Sequence, residues 1–413
     1  MVSHRIRILL ASIFGNALEF YNLTLYGFFV AIIGKTFFPS ESPLFSLISS
    51  LSGYAIGFIV RPLGAIVFGN LGDRLGRRKA LGLSIIIMGV PSLIIAILPG
   101  YATLGIVAPT LLILCRITQG LCSGGEFNGA IIFALEHLGK NRPGLAGGFI
   151  VGSCLLGSLT ALGVASLIES AHLPVWGWRL SFLLGGSASF YGLYMRKKIE
   201  ESPVFALLRK KDQINQNPLK TALSSYGGSC LRVFAIGAFD GAITYTLVTF
   251  LGIYTIATLH ISPASSFRYN FFGILTCMLA CPLFGHWADR YGVKKTLMVS
   301  SSMVLIFSLL VFYWVQCATL PTLMMANILL GFLAGSIIGP QPLFSQGLFP
   351  ANTRYTGIAF SYSLSIGTMG GLTPLILTYW TQEGLHPYAP AFYLMGFAIF
   401  FLAVLMRTSI KDA

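Results

Sequence analysis

Gly69-Asn-Leu-Gly-Asp73-Arg74-Leu-Gly76-Arg77-Arg78-Lys79-Ala-Leu81 returns 216 residues later as Gly285-His-Trp-Ala-Asp289-Arg290-Tyr-Gly292-Val-Lys294-Lys295-Thr-Leu297. Gly, Asp, Arg, Gly, Lys and Leu coincide at one fixed offset, in a chain where only 10% of residues are charged. Each copy lies between long apolar runs. The chain therefore reads as two related halves, each carrying the same short charged turn between two membrane helices, the layout of carriers built from internal repeats.

Composition agrees. At 413 residues, 55% apolar, 13% aromatic and a mean hydropathy of +0.78, the chain is too apolar for a soluble globule and must be solvated by lipid. Crossing a hydrocarbon core of about 30 Å takes about 20 residues. Runs of that length fall near 6–34, 44–70, 80–98, 104–136, 143–169, 175–195, 224–258, 265–287, 296–316, 320–347, 354–380 and 387–406. The expected architecture is all-α: twelve transmembrane helices in two pseudo-symmetric six-helix bundles, 1–195 and 224–413, joined by a linker at 196–223. The first span is too long, and too interrupted by Asn16, Glu19 and Asn22, to be a cleaved secretion signal. The linker holds seven basic and three acidic residues, with a short amphipathic helix expected around 201–211 along the membrane surface. Only seven residues follow Met406, so no C-terminal sensor is expected.

The net charge of +14 does not mark a nucleic-acid binder, because the basic residues alternate with the spans instead of forming one patch. Of the 27 Lys and Arg, Lys35 and Arg268 fall on one side and Arg61, Arg116, Arg179 and Arg232 within spans; all others share the opposite side. By the positive-inside rule that side is cytoplasmic, with both termini on it. The seven cysteines show no CxxC and no histidine at metal spacing, and the six histidines, among them His4 and His172, sit at span ends or in loops. Neither a metal nor a cofactor is expected. No nucleophile and base stand at workable spacing, so an enzyme is not expected either.

Function is then to be sought where charge is placed against its own solvation. An ionisable side chain at the helix centre costs on the order of 2.5–3.5 kcal/mol, so such residues face a cavity or a partner. Arg61 lies 12 residues before Asp73 and Glu126 lies 11 before His137, which puts them at matching depth as a candidate buried pair. Glu19, Arg116 and Asp240 approach mid-membrane. Glu19, Asn22 and Tyr26 share one helix face, as do Arg116, Gln119, Ser123 and, less well, Glu126. Two polar stripes lining one cavity are expected.

These residues also carry a family resemblance. Gly15-Asn16-Ala-Leu-Glu19-Phe-Tyr-Asn22-Leu-Thr-Leu-Tyr26-Gly27, Arg61-Pro62-Leu63-Gly64, Arg116-Ile-Thr-Gln119-Gly120 followed by Gly124-Gly125-Glu126-Phe, Trp178-Arg179-Leu-Ser-Phe182, Glu201-Ser202-Pro203-Val-Phe205, and Phe349-Pro350 with Arg354-Tyr355-Thr356-Gly357 resemble the metabolite:proton symporter family of the major facilitator superfamily. That group includes proline/betaine, shikimate, citrate and 2-oxoglutarate transporters. The resemblance implies a cavity lined mainly by spans 1, 4, 7 and 10, and proton-driven uptake of a small metabolite by a functional monomer in the inner membrane. One departure stands out: the family usually has Glu-Trp-Tyr-Asp where this chain has Glu19-Phe20-Tyr21-Asn22, so an acid has become an amide. Subtracting the repeat offset places Asp240 at position 24, close to Asn22, as if the acid had moved to the other half.

Site expectations follow. Proton coupling falls to Glu19, Asp240 and Glu126, and substrate binding to Arg116, Asn22, Tyr26, Gln119, Tyr245, Asn327 and Gln341. Gating falls to Asp73, Arg74, Arg77, Arg78, Asp289, Arg290, Arg142 and Arg354. Asp73 and Asp289 are expected where spans 3 and 9 begin, either capping those helices or reaching across to Arg354 and Arg142, with Gly72, Gly76 and Gly292 allowing tight reversals. The small residues Gly148, Gly152, Ser153, Gly157, Ser158 and Gly163 fit span 5 for close packing, and Pro340 and Pro342 break span 10. One central arginine beside two acids suits a zwitterion or a monocarboxylate. A passive channel or a nutrient receptor on the same fold is the alternative, which substrate-dependent proton uptake would separate from a carrier.

Overall fold

The computed structural model describes residues 2–41, 43–138, 142–170, 174, 176–382 and 386–408; His172 and the tail after Thr408 lie outside them. Among the described residues every regular element is helical. Ten helices are long and apolar enough to cross a membrane. Two more, Trp178–Lys197 and the run from Arg354 to Gln382, complete the twelve. They fall short on composition, not length: the first opens on Trp178-Arg179 and closes on Arg196-Lys197, and the second is rich in Ser, Thr, Tyr and Gly. The chain is a multi-pass membrane protein with the twelve-helix architecture expected.

Several spans are broken. Span 2 is two helices, Pro43–Ile59 and Arg61–Leu75, meeting at Val60 ahead of Pro62. Span 10 breaks between Leu320–Ile338 and Gln341–Gln346 at Gly339-Pro340, where proline removes a backbone donor. Spans 7 and 11 each contain one π-helical turn, Thr246–Phe250 and Ile366–Gly370. Such turns are rare and concentrate at functional sites.

Contacts divide the chain into two compact units that interleave with the sequence halves. Unit 1 holds Met1–His137, Leu156–Lys220 and Ala351–Phe360; unit 2 holds Leu138–Leu155, Thr221–Pro350 and Ser361–Ala413. Each unit thus borrows the opening of one span from the other half. Within unit 1, spans 2 and 4 touch through Gly57 and Gly120, where a Cβ on Gly120 would collide with the Gly57 carbonyl. Within unit 2, spans 8 and 10 touch in the same way through Gly273 and Gly331. Gly57 and Gly273 are one repeat offset apart, so the duplication preserves the close backbone approach on which helix association in lipid depends.

The repeated turns are single residues. Gly76 (φ 114°) joins Arg61–Leu75 to Arg77–Ile97, and Gly292 (φ 88°) joins Pro263–Tyr291 to Val293–Cys317. A side chain would be strained at either position. Gly72 is not part of a reversal; it lies inside the helix, where it makes room for the Tyr355 ring.

In the linker, the expected amphipathic helix is Pro203–Lys210, capped by the Ser202 hydroxyl, which accepts from Phe205 N at 3.2 Å. Its Phe205 is buried in unit 1 rather than turned toward lipid.

Candidate functional site

Span 4 (Val107–Leu138) is the axis of unit 1's polar core. Its Arg116 is fully buried. Arg116 Nη1 donates to Gln119 Oε1 at 2.7 Å, Gln119 Nε2 to Ser92 Oγ at 2.9 Å, and Ser92 Oγ to Asn22 Oδ1 at 2.8 Å. The guanidinium lies over two rings, 4.4 Å from the centroid of Tyr26 and 5.7 Å from that of Tyr54. Tyr26 is held in turn by its hydroxyl, which donates to Ser50 O at 3.2 Å. Arg116 Nε and Nη2 have no hydrogen-bond acceptor, and no carboxylate pairs with Arg116 among the described residues. Two turns further along span 4, Ser123 donates to Glu19 Oε1, while Glu19 Oε2 is buried without a partner. Unit 1 therefore holds a cation and an anion that are both desolvated and incompletely bonded, an arrangement that costs stability unless a ligand completes it.

The expected Arg61–Glu126 pair does not form. Arg61 lies over the Phe58 ring, 4.2 Å from its centroid. Glu126 accepts from Arg196 Nη1 and Nη2 and from the Ser84 hydroxyl. Equal depth is not enough, because the two side chains project around their helices in different directions. Arg196 was hidden in the basic run 196–198, which reads as linker, yet it closes span 6. Phe182, Gly185, Ser189, Gly192 and Arg196 form one buried stripe at helical spacing, and that periodicity was the available signal.

Among the described residues, unit 2 buries one carboxylate, Asp240. Its Oδ2 accepts from Tyr362 Oη at 2.5 Å and its Oδ1 from Thr244 Oγ1 at 2.8 Å. Tyr362 stands one turn before the π-helical turn of span 11. The π-helical turn of span 11 packs against span 7 just ahead of that span's own π-helical turn, since a Cβ on Gly370 would meet the Tyr245 ring and one on Gly241 would meet Gly370. Asn327 and Gln341 are buried on span 10, but each bonds within its own helix: Asn327 Nδ2 to Leu323 O at 2.9 Å, Gln341 Nε2 to Ser345 Oγ at 3.1 Å. No hydrogen bond among the described residues joins them to Asp240.

The two copies of the turn share one device. Asp73 closes span 2 rather than opening span 3, and it accepts from Thr356 N and Thr356 Oγ1, both at 2.9 Å, and from Tyr355 N at 3.4 Å. Asp289 closes span 8 rather than opening span 9, and it accepts from Gly144 N at 2.7 Å and Leu145 N at 2.8 Å. Each aspartate thus caps the first turn of a helix borrowed from the other half, where backbone N–H groups lack internal partners. The expected arginine partners are not used. Arg354 pairs instead with Glu136 at 3.2 Å, and Arg142 is exposed with φ 55° and no ion pair among the described residues.

Around the first copy a buried network adds to the cap. Arg77 contacts Asp73 (3.3 Å), Glu136 (3.2 Å) and the Ala351 carbonyl (2.6 Å), and Ser202 of the linker donates to Glu136. Arg78 Nη2 donates to Lys197 O at 2.8 Å. Arg74 and Arg290 are exposed. Glu136, next to the helix-end marker His137, went unread in the sequence because it sits where a solvated charge is ordinary.

A sequence profile of the Major Facilitator Superfamily matches residues 12–360. The Inner membrane metabolite transport protein YhjE of Escherichia coli (strain K12) is 32% identical, over 98% of this chain and 94% of that protein. The Glycine betaine/proline/ectoine/pipecolic acid transporter OusA of Dickeya dadantii (strain 3937) is 30% identical, over 94% and 80%. Among solved structures, the proton:xylose symporter XylE bound to 6-bromo-6-deoxy-D-glucose superposes with a TM-score of 0.82 at 14% identity, covering 98% of this chain and 96% of that one; at that identity the likeness is one of fold.

Proposed function

We propose, from the premise that this chain belongs to the Major Facilitator Superfamily, that it is a proton-coupled symporter taking up a small zwitterionic or carboxylate-bearing metabolite such as an amino acid, betaine or organic acid. The observation that carries the reading is Arg116, fully buried against two tyrosine rings with two guanidinium nitrogens unbonded. A substrate carboxylate would complete those donors in a charge-assisted, bidentate way. Glu19, on the same polar core, offers the counter-charge for a substrate cation. The relative OusA, a glycine betaine and proline transporter, supports the same class.

Proton coupling falls to Glu19 and Asp240. Both are bonded by hydroxyls, and a hydroxyl donates to a carboxylate but accepts from a carboxylic acid, so either protonation state keeps its hydrogen bond. Glu126 differs in being bonded by Arg196 through both terminal guanidinium nitrogens. In the empty carrier the charges of Arg116 and the carboxylate offset one another, and in the loaded one substrate and proton cancel both; either ligand alone leaves a buried charge uncompensated, so loaded and empty carriers reorient while half-loaded ones do not. The membrane potential adds about 2.3 kcal/mol per charge per 100 mV. By the positive-inside rule both termini face the cytoplasm, and Asp73, Arg77, Glu136 and Arg354 then form a gate on that side.

The test is reconstitution. Vesicles holding the purified protein, screened with amino acids, betaines and organic acids, should accumulate one of these classes when an inward proton gradient is imposed, and Arg116→Lys should lose high-affinity uptake. Full uptake by Arg116→Lys, or flux indifferent to the gradient, rejects the reading.

A further inference from the structure

On the basic edge of unit 1 lies a groove of about 750 Å³ that the transport reading leaves unused. Its walls are span 3, the end of span 6 and the linker helix Pro203–Lys210. Leu75, Gly82 and Leu193 give it an apolar floor, and Arg78, Lys79, Lys197, Arg209 and Lys210 stand around it. Glu201 is the acid among the lining residues, and its carboxylate is already taken: Oε1 accepts from Arg78 N at 3.1 Å and from Ser202 N at 2.9 Å. Lys79, Lys197, Arg209 and Lys210 are exposed, and their side chains form no ion pair or hydrogen bond among the described residues. Four uncompensated cations therefore share one pocket. Leu75, which is 55% exposed, continues the apolar floor outward, and Tyr191 and Tyr194 are exposed on span 6, as aromatic residues are at a membrane interface.

We propose that this groove binds the headgroup of an anionic phospholipid, with the phosphodiester among Lys79, Lys197, Arg209 and Lys210 and the upper acyl chains along Leu75, Gly82 and Leu193. Clustered cations beside an apolar wall at a helix end fit an amphiphile with a negative head better than a soluble anion, which has no use for the wall. The site also has a route to the gate. The helix carrying Arg209 and Lys210 is capped by Ser202, which donates to Glu136, and carries Phe205, whose ring lies 5.1 Å from the Arg77 guanidinium. Headgroup binding would hold that helix docked against the charge network.

The experiment compares the intact protein in nanodiscs of phosphatidylcholine containing a fraction of phosphatidylglycerol, with retained lipid counted by native mass spectrometry after mild delipidation. Wild type should retain phosphatidylglycerol in preference to phosphatidylcholine. Lys79→Gln/Arg209→Gln should weaken that retention at least about tenfold, since each basic residue near an anionic surface contributes an appreciable share. Lys220→Gln/Lys295→Gln, which removes two exposed cations elsewhere, should leave it unchanged. Equal losses in both double variants would mean diffuse surface attraction and overturn the site. No headgroup preference in wild type, or displacement of the lipid by millimolar glycerol phosphate, would overturn it as well. The wild-type arm stands whether or not a variant folds. It does not depend on transport, so its failure leaves the symport reading untouched.

Discussion

The two units share a repeat but not an electrostatic design. Among the described residues, the buried carboxylates and guanidinium groups are Glu19, Arg61, Asp73, Arg77, Arg116, Glu126, Glu136 and Arg196 in unit 1, and Asp240 alone in unit 2. In unit 1, four cations offset four anions. Five of those charges are tied into ion pairs; Arg61, Arg116 and Glu19 are left without an ionic partner among the described residues. In unit 2 the lone acid has only hydroxyl partners. Duplication has conserved the backbone, in the glycine turns, the paired Gly57 and Gly273, and the aspartate caps, while charge has concentrated on one side. The lesson is that helix packing in lipid asks for small residues at the same places in both copies, whereas a buried charge persists only where something uses or compensates it.

The turns show this most directly, and the largest expected effect lies there. Breaking a buried ion network by removing one partner costs about 3–5 kcal/mol. Arg77→Ala should therefore lower the thermal unfolding temperature of the purified protein sharply, whereas Asp289→Ala should cost about 1 kcal/mol, the worth of a helix cap. Similar losses in the two variants would break the asymmetry.

Next in size is Arg116, the proposed substrate-binding residue. Truncating a buried charged contact typically costs about 2–5 kcal/mol in binding, so Arg116→Lys should weaken substrate binding by roughly thirtyfold or more while the unfolding temperature holds near wild type. Retained affinity would move the binding group away from unit 1.

Asp240→Asn sharpens the other side of the comparison. It should abolish accumulation driven by a proton gradient yet leave substrate exchange across the membrane running, because the amide keeps the shape and loses the proton. Tyr362→Phe removes one hydrogen bond, worth about 1 kcal/mol, and should slow coupled uptake several-fold without abolishing it. Full accumulation by Asp240→Asn would return coupling to Glu19 alone.

The smallest effect concerns the gate. Asp73→Ala should lower turnover while substrate affinity stays close to wild type, since Asp73 bonds only the opening of span 11 and Arg77. Unchanged turnover in vesicles would leave Asp73 a purely structural cap.

The sequence made the architecture legible because a repeat and twelve apolar runs are long-range patterns that survive any choice of rotamer. Depth was legible too: Glu19, Arg116 and Asp240 are buried as expected, and Asn22, Gln119 and Arg116 join one hydrogen-bonded chain through Ser92. Partnership was not. Arg61 and Glu126 matched in depth but not in direction around their helices, and Glu126 found Arg196 at the end of a stripe that looked like linker. Asp73 and Asp289 met the backbone amides of a borrowed helix start rather than Arg354 and Arg142, because that start offers two aligned donors within reach. Tyr362 was missed because a tyrosine in an apolar span reads as packing until an acid is placed beside it.

The central claim is that substrate and proton move together through a carrier whose unpaired buried charges they complete. Addition of a transported metabolite to proteoliposomes in weakly buffered medium, with pH recorded outside, tests it most directly. Substrate-evoked alkalinisation that is lost in Arg116→Lys is the predicted result; saturable uptake of the same metabolite with no movement of protons would contradict it.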